Sequence, residues 1–90
     1  MVSVKSKIKD EYKMFEMLLL ASSRENIYQK SSEIEAKKQI VMEFSDIPLT
    51  QEENYRLYPL ENLLDYILLI KEEMNLDTET AVSEIIRRIG

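Results

Sequence analysis

Residues 60–74, with the sequence LENLLDYILLIKEEM, decide the fold that this chain predicts. Their apolar side chains recur at steps of three and four residues, which places them on one face of an α-helix. This broad face comprises Leu60, Leu63, Leu64, Ile67, Leu68, Ile70 and Met74. We therefore expect a central helix over these residues, with the rest of the chain built to cover it.

The segments before this stretch also predict helices. We expect residues 1–6 to form a frayed arm, because no partner strand follows their alternating pattern. A first helix should begin at about Lys7, since its apolar residues then share one face: Ile8, Tyr12, Phe15 and Leu19. Ser22 and Glu25 have the spacing of a capping box, which predicts that a second helix begins there.

That second helix should be long and partly exposed. Apolar residues at seven-residue steps continue to about Phe44, but Ser31, Lys37 and Lys38 interrupt the stripe. Glu33 lies four residues before Lys37, a spacing that adds only about 0.2–0.5 kcal/mol to a helix.

Two further helices are expected around the central one. Thr50 and Glu53 form a second capping-box pattern and predict a short helix through about Tyr58. Pro59 is then suited to the first position of the central helix, where its missing amide costs nothing. After residues 75–77, Asp77 or Thr78 should cap a last helix whose apolar residues are Ala81, Val82, Ile85, Ile86 and Ile89.

These elements predict an all-α fold. Ninety residues make a single helical domain, 1–90, and the short connections favour a small bundle or orthogonal array of four main helices plus one short helix.

Composition excludes several kinds of chemistry. The chain has no cysteine and no histidine, so it lacks the commonest catalytic base, a thiolate nucleophile and the usual zinc ligands. We therefore predict that it is not an enzyme, that it has no cofactor, and that it holds no metal. No small-molecule substrate is evident either.

Charge and hydropathy bear on the partner. The net charge is −5, and it is uneven, because residues 1–45 sum to +1 and residues 46–90 sum to −6. An acidic surface repels phosphate backbones and acidic lipids, which favours a protein partner or self-association over nucleic acid or a membrane. With no recognisable signal peptide or membrane-spanning run, we expect the protein to be cytoplasmic.

Five tyrosines are many for a chain of this length. Tyr12, Tyr28 and Tyr66 lie on or beside apolar stripes and should be half buried. Tyr55 and Tyr58 instead lie in a polar stretch near a proline. Together with Leu69, one of three consecutive apolar residues that must point in different directions, they are our candidate partner surface.

A DNA-binding regulator is the alternative. Residues 66–89 have the outline of a helix-turn-helix, in which the second helix would read DNA through Thr78, Thr80, Ser83 and Arg87. Acidic residues at the start of that helix oppose contact with phosphate. A third hypothesis is a minimal enzyme centred on Glu61 and Asp65, which lie one helical turn apart.

The order of residues over about 7–73 resembles a small helical family catalogued as domain of unknown function 3848. The resemblance rests on mostly apolar positions: Glu11, Tyr12, Phe15, Leu18, Leu19, Ser22, Ile27, Ile34, Ile40, Leu60, Leu64, Asp65 and Tyr66. Members occur in Gram-positive anaerobes, often in mobile elements, and have no established activity. The resemblance thus implies an accessory protein of a mobile element that acts by binding, which agrees with a non-enzymatic protein-interaction or regulatory module.

Overall fold

A computed structural model describes residues 3–89, and these residues form α-helices with no β-strand. The prediction of an all-α fold is confirmed. The helices are α1 (Val4–Leu20), α2 (Arg24–Gln29), α3 (Ser31–Ser45), α4 (Gln51–Leu57), α5 (Leu63–Met74) and α6 (Thr78–Ile89).

Helix α5 lies at the centre of the fold. It contacts α1, α3 and α6, and its buried residues are Leu63, Leu64, Ile67 and Ile70. The same side chains form the three- and four-residue pattern in the sequence, so that pattern does mark the core. Phe44 of α3 and Ile85 of α6 belong to the same buried cluster, to which α1 adds Val4 and Ile8.

Helix α1 begins earlier than the sequence predicted. Instead of a frayed arm over residues 1–6, the structure has Ser3 as a helix cap and Val4 fully buried; residues 1 and 2 lie outside the described residues. The reason is a distant partner, because the amide of Val4 donates to the side-chain oxygen of Asn54 at 2.8 Å. A side-chain acceptor at a helix start satisfies an amide that has no partner within the helix.

The expected long second helix is divided. The structure has the short helix α2, a break at Lys30, and then α3. The capping box predicted at Ser22 does not form, because the Ser22 hydroxyl donates to the carbonyl oxygen of Leu18, four residues back, at 3.0 Å. A serine used in this way extends the end of the preceding helix instead of starting the next one.

The start of α5 also differs from prediction. Pro59 lies in a turn, and the helix begins only at Leu63, after Asn62, whose φ of 53° is left-handed. Asparagine adopts this conformation more readily than most residues, so the chain can reverse there. The first-turn amides of α5 are bound by Glu11 of α1, as described below.

The remaining helix boundaries follow local signals. Thr50 and Glu53 form the predicted capping box of α4, with both of its hydrogen bonds present. Asn75 ends α5 in a left-handed conformation, and the side chain of Asp77 accepts the amide of Thr80 at 2.7 Å to cap α6. These three predictions were correct because each signal lies within a few residues of the helix end that it controls.

Burial is unequal along the chain. Among the described side chains between Ile8 and Lys37, only Leu19 is buried. The molecule is correspondingly elongated, with extents of 41 × 31 × 20 Å. No helix within residues 3–89 has both the length and the apolar character to cross a membrane.

Candidate interaction surface

Two exposed tyrosines line a groove between α1 and α4. Tyr55 lies in α4 and Tyr58 at its C-terminal cap, and they are 55% and 40% exposed. The groove between them and α1 has a volume of about 940 Å³, and its α1 wall includes Lys7, Asp10 and Met14. We call this site the tyrosine groove. Tyr55 and Tyr58, predicted from sequence to lie on a surface, thus share one concave site.

The wall of the tyrosine groove is held by Glu11. Its carboxylate accepts the amides of Leu63 and Leu64 at 3.1 and 2.8 Å, and Lys7 donates to it at 2.8 Å. A carboxylate at a helix start is favoured both by the free amides and by the positive end of the helix dipole. Glu11 therefore fixes α1 against α5 and sets the position of the groove wall.

An apolar strip leads away from the tyrosine groove along α1. Met14 borders the groove and also a second, smaller pocket, which has a volume of about 190 Å³ and is lined in addition by Phe15 and Leu18. Met14 and Leu18 are 60% and 65% exposed. The exposed apolar surface is therefore continuous from the tyrosines to the second half of α1.

Lys37 lies beneath the second pocket and is only 4% exposed. This corrects the prediction of an exposed lysine that interrupts the stripe of the second helix. Its ammonium group pairs with Asp65 at 2.7 Å and with Glu33 at 3.1 Å, and lies 3.7 Å from the centre of the Phe15 ring. These contacts replace the water that a buried charge loses.

The same contacts determine how Lys37 titrates. Burial by itself would lower the pKa of Lys37, but hydrogen bonds from the ammonium group to Asp65 and Glu33, together with their charges, raise the pKa above its usual value of 10.5. Lys37 therefore stays charged at neutral pH and acts as a fixed cation that joins α3 to α5.

Leu69, the third residue of the predicted partner surface, lies apart from the tyrosine groove. It is 52% exposed and points away from the buried face of α5. On a helix, its neighbours three and four residues away are Asp65, Tyr66, Glu72 and Glu73, so three of the four are acids and the fourth, Tyr66, packs against the core. Single exposed apolar residues of this kind are common on protein surfaces.

Tyr28 differs from expectation. It was expected to be half buried and is 82% exposed in the short helix α2. Tyr12 and Tyr66 do pack against the core as predicted.

The alternative DNA-reading helix is α6, and the structure separates its four predicted residues. Thr80, Ser83 and Arg87 are exposed, but Thr78 is 1% exposed. Its hydroxyl donates to Glu43 at 2.8 Å and accepts from Lys71 at 3.0 Å. Thr78 thus belongs to a buried junction of α3, α5 and α6 and cannot contact a base.

Arg87 is exposed but already paired. Its guanidinium donates to both carboxylate oxygens of Glu84, with a shortest distance of 2.6 Å, and Arg88 donates to the same carboxylate at 3.1 Å. Hydrogen bonds from Arg87, and to a smaller extent from Arg88, hold the pKa of Glu84 below its usual value. The exposed face of α6 therefore has little free positive charge for a phosphate backbone.

Replacing Thr78 with valine is expected to lower the free energy of unfolding by about 1–2 kcal/mol, because Lys71 and Glu43 lose a shared hydrogen-bond partner while the shape of the site is kept. Urea unfolding followed by circular dichroism measures this loss. Ser83→Ala, on the exposed face of α6, is the control and should change stability by less than about 0.5 kcal/mol. Equal losses in the two variants would show that the junction at Thr78 does not stabilise the fold.

The two carboxylates of the third hypothesis do not form a shared site with other ligands. Asp65 pairs with Lys37, whereas Glu61 lies exposed in the turn before α5. Within residues 3–89 there is no group of three or more acidic side chains arranged to hold a metal ion.

Sequence reasoning did not identify Glu11 or Lys37 as features of the surface, whereas the exposed strip of α1 does have a signal in the sequence. The three consecutive leucines at 18–20 were the available signal, because consecutive residues cannot all face one core. Glu11 and Lys37 gave no local signal, since their partners lie 52 and 28 residues further along the chain.

No family model, curated protein or solved structure matches this chain. The resemblance to domain of unknown function 3848 therefore stays a prediction, and a function has to be argued from the residues.

Proposed function

We propose that this chain is a non-enzymatic protein-interaction module, and that it binds a segment of a partner protein in the tyrosine groove. The observation that supports this proposal is the exposure of Tyr55 and Tyr58 beside Met14 in a groove of about 940 Å³.

The side chains of the tyrosine groove suit protein recognition. Tyrosine contributes a large contact area with only two rotatable angles, and its hydroxyl can bond to a polar group at the edge of an interface. Methionine is flexible and fits irregular apolar surfaces. A site built from Tyr55, Tyr58 and Met14 thus favours an apolar side chain of the partner.

The charges around the groove suggest what lies next to that apolar side chain. Lys7 is bound by Glu11, whereas Asp10 is exposed, and the described residues offer it no hydrogen-bond or ion-pair partner. The half of the chain that supplies the tyrosines has a net charge of −6. A lysine or arginine beside the apolar residue would therefore complement the site.

The place of action follows from the same proposal. A binding module with a net charge of −5 and no chemistry of its own fits an accessory or regulatory protein of the cytoplasm. The resemblance to domain of unknown function 3848 makes a mobile element a natural context.

Site-specific photo-crosslinking tests the proposal against the DNA-binding alternative. A benzophenone amino acid at position 58 replaces one aromatic ring with another, and the matched variant places it at Ser83 on the exposed face of α6. In cells of the native host, we expect protein adducts from position 58 and none from position 83. A second change, Met14→Glu, should reduce the adducts at position 58.

Two results would contradict the proposal. Adducts that contain nucleic acid, formed from position 83, would favour the alternative regulator that reads DNA through Thr80, Ser83 and Arg87. Protein adducts whose yield is equal at both positions would show that the tyrosine groove has no special role.

A further inference from the structure

The second half of α1 exposes apolar side chains that the fold leaves uncovered. Met17, Leu18 and Leu20 are 65%, 65% and 74% exposed. Helix α2, which follows them, contributes no buried residue to the main core cluster. The buried residues that α1 contributes are Val4 and Ile8. Among the described side chains of residues 9–36, about a third of the chain, Leu19 is the one that is buried, and Tyr12 packs half buried against the core.

Such a region is difficult to stabilise alone. Ordering the backbone costs about 1–2 kcal/mol per residue, and burial of apolar surface is the main term that offsets this cost. Helix α2 has six residues, fewer than an isolated helix needs in water. Additional apolar surface from outside the chain would supply the missing burial.

The exposed area agrees with a missing partner. The chain exposes 6284 Å². A typical folded monomer of 10.7 kDa exposes about 5500 Å². The difference, about 800 Å², is close to the area that one partner contributes to a protein–protein interface of standard size.

The spacing on α1 indicates what kind of partner fits. Asp10, Met14, Met17 and Ala21 are separated by steps of four, three and four residues, and all four are exposed. We call this row the α1 seam. Steps of four and three are those at which one helix packs along another.

We propose that two copies of this chain pair through the α1 seam, with the two α1 helices antiparallel about a two-fold axis. In this arrangement, the same row of side chains meets itself, so that Met14 of one copy packs against Met17 of the other and the reverse. The apolar surface that is exposed in a single copy is then buried in the interface between the two copies.

Charge permits this pairing in spite of the net charge of −5. Helix α1 as a whole is close to neutral, with four lysines against Asp10, Glu11 and Glu16, so that two α1 helices repel each other little. The excess acid lies in residues 46–90, outside α1. Since like charges at an interface oppose association, the nearly neutral surface of α1 is the part of this molecule best suited to bind an identical copy.

Sedimentation or light scattering over a concentration series tests the proposal. We expect the wild-type chain to have twice its monomer mass of 10.7 kDa. Met17→Glu should raise the dissociation constant at least about a hundredfold, because each interface then buries two unpaired carboxylates. Met42→Glu is the matched control, since Met42 is 70% exposed on α3 and outside the α1 seam, and it should remain a dimer.

A pair of cysteine variants tests the orientation. The chain has no cysteine, so Met14→Cys and Met17→Cys each introduce one thiol. In the antiparallel arrangement, position 14 of one copy faces position 17 of the other, so mild oxidation of an equal mixture should link the two variants to each other in preference to linking two copies of Met17→Cys. The Met42→Cys variant should stay unlinked at the same concentration.

A wild-type chain that stays monomeric up to millimolar concentration would overturn the pairing, as would a Met42→Glu variant that dissociates while Met17→Glu does not. Asp10 and Met14 belong both to the α1 seam and to the tyrosine groove, so a second copy and the partner segment would compete for this wall, whereas a chain that stays monomeric leaves the groove open. Crosslinks from position 58 to another protein would still support the proposed function, so the two proposals fail separately.

Discussion

Replacing Glu11 with glutamine is expected to lower the free energy of unfolding by about 2–3 kcal/mol. The carboxylate accepts two amides of α5 and pairs with Lys7, and its side chain is only 20% exposed. Glutamine keeps one acceptor oxygen but turns an amide group towards one of the two helix amides, so that one bond is lost and the charge with it. For a domain of this size, the loss corresponds to a fall of about 10 °C or more in melting temperature.

Chemical denaturation of the wild-type chain and of Glu11→Gln measures the loss in free energy of unfolding directly. Glu72→Gln is the control, because Glu72 is exposed on α5 and makes no hydrogen bond or ion pair with the described residues. That variant should stay within about 0.5 kcal/mol of wild type. If Glu11→Gln were no worse than Glu72→Gln, Glu11 would not be the cap of α5.

Replacing Lys37 with alanine is expected to lower the free energy of unfolding by about 2–2.5 kcal/mol, because three buried methylene groups, Cγ, Cδ and Cε, are lost at about 0.8 kcal/mol each. Lys37→Met keeps most of this apolar chain and removes the charge. Its partners Asp65 and Glu33 are 60% and 37% exposed, so water can solvate them once the ammonium group is gone. We therefore expect the methionine variant to lose less than about 1 kcal/mol.

The contribution of the Lys37 charge to stability should instead be detectable at alkaline pH. Its pKa in the folded protein is raised above the usual 10.5 by Asp65 and Glu33, which together outweigh the effect of burial. Its charge therefore stabilises the fold fully below pH 10.5, and this stabilisation is lost as the pH rises through the raised pKa. Because methionine does not titrate, the wild-type chain should lose stability relative to Lys37→Met above pH 10.5. If the stability difference between the wild-type chain and Lys37→Met did not change with pH, this account of the Lys37 charge would be contradicted.

Sequence signals that act over a few residues predicted the structure well. Most of the apolar rows of α5 and α6 became their buried faces, although Met74 and Ile89 at the helix ends are exposed. The capping residues Thr50 and Asp77 each bind an amide three residues ahead. Asn75 ends α5 where the sequence suggested. In these cases, the residue that decides the local structure is a close neighbour in the chain.

The errors have a common physical cause. The starts of α1 and α5 depend on Asn54 and Glu11, which lie 50 and 52 residues away from the amides that they bind. Lys37 is buried because Asp65 reaches it from another helix. Local patterns do not contain these partners, so they predicted a frayed arm, a helix that starts at Pro59, and an exposed lysine.

The candidate surface was likewise predicted where local signals determine it and missed where it depends on residues distant in the chain. Polarity and the nearby proline suggested that Tyr55 and Tyr58 are exposed, but only the fold places Met14 and Asp10 beside them. Leu69 was grouped with the tyrosines because it is one of three consecutive apolar residues that cannot all face the core, although α5 holds it away from the tyrosine groove. A partner surface built from two helices cannot be assembled from either helix alone.

The cap that Glu11 provides for α5 also has a consequence for the order of folding. A helix that carries its own cap can form its first turn early, whereas α5 lacks a side-chain cap at Asn62. Its first turn is completed only when α1 arrives across a loop of about fifty residues, which is a slow, entropically costly closure. Completion of α5 and docking of α1 are therefore the same event, so the folding nucleus of this small helical protein is expected to be long-range instead of local.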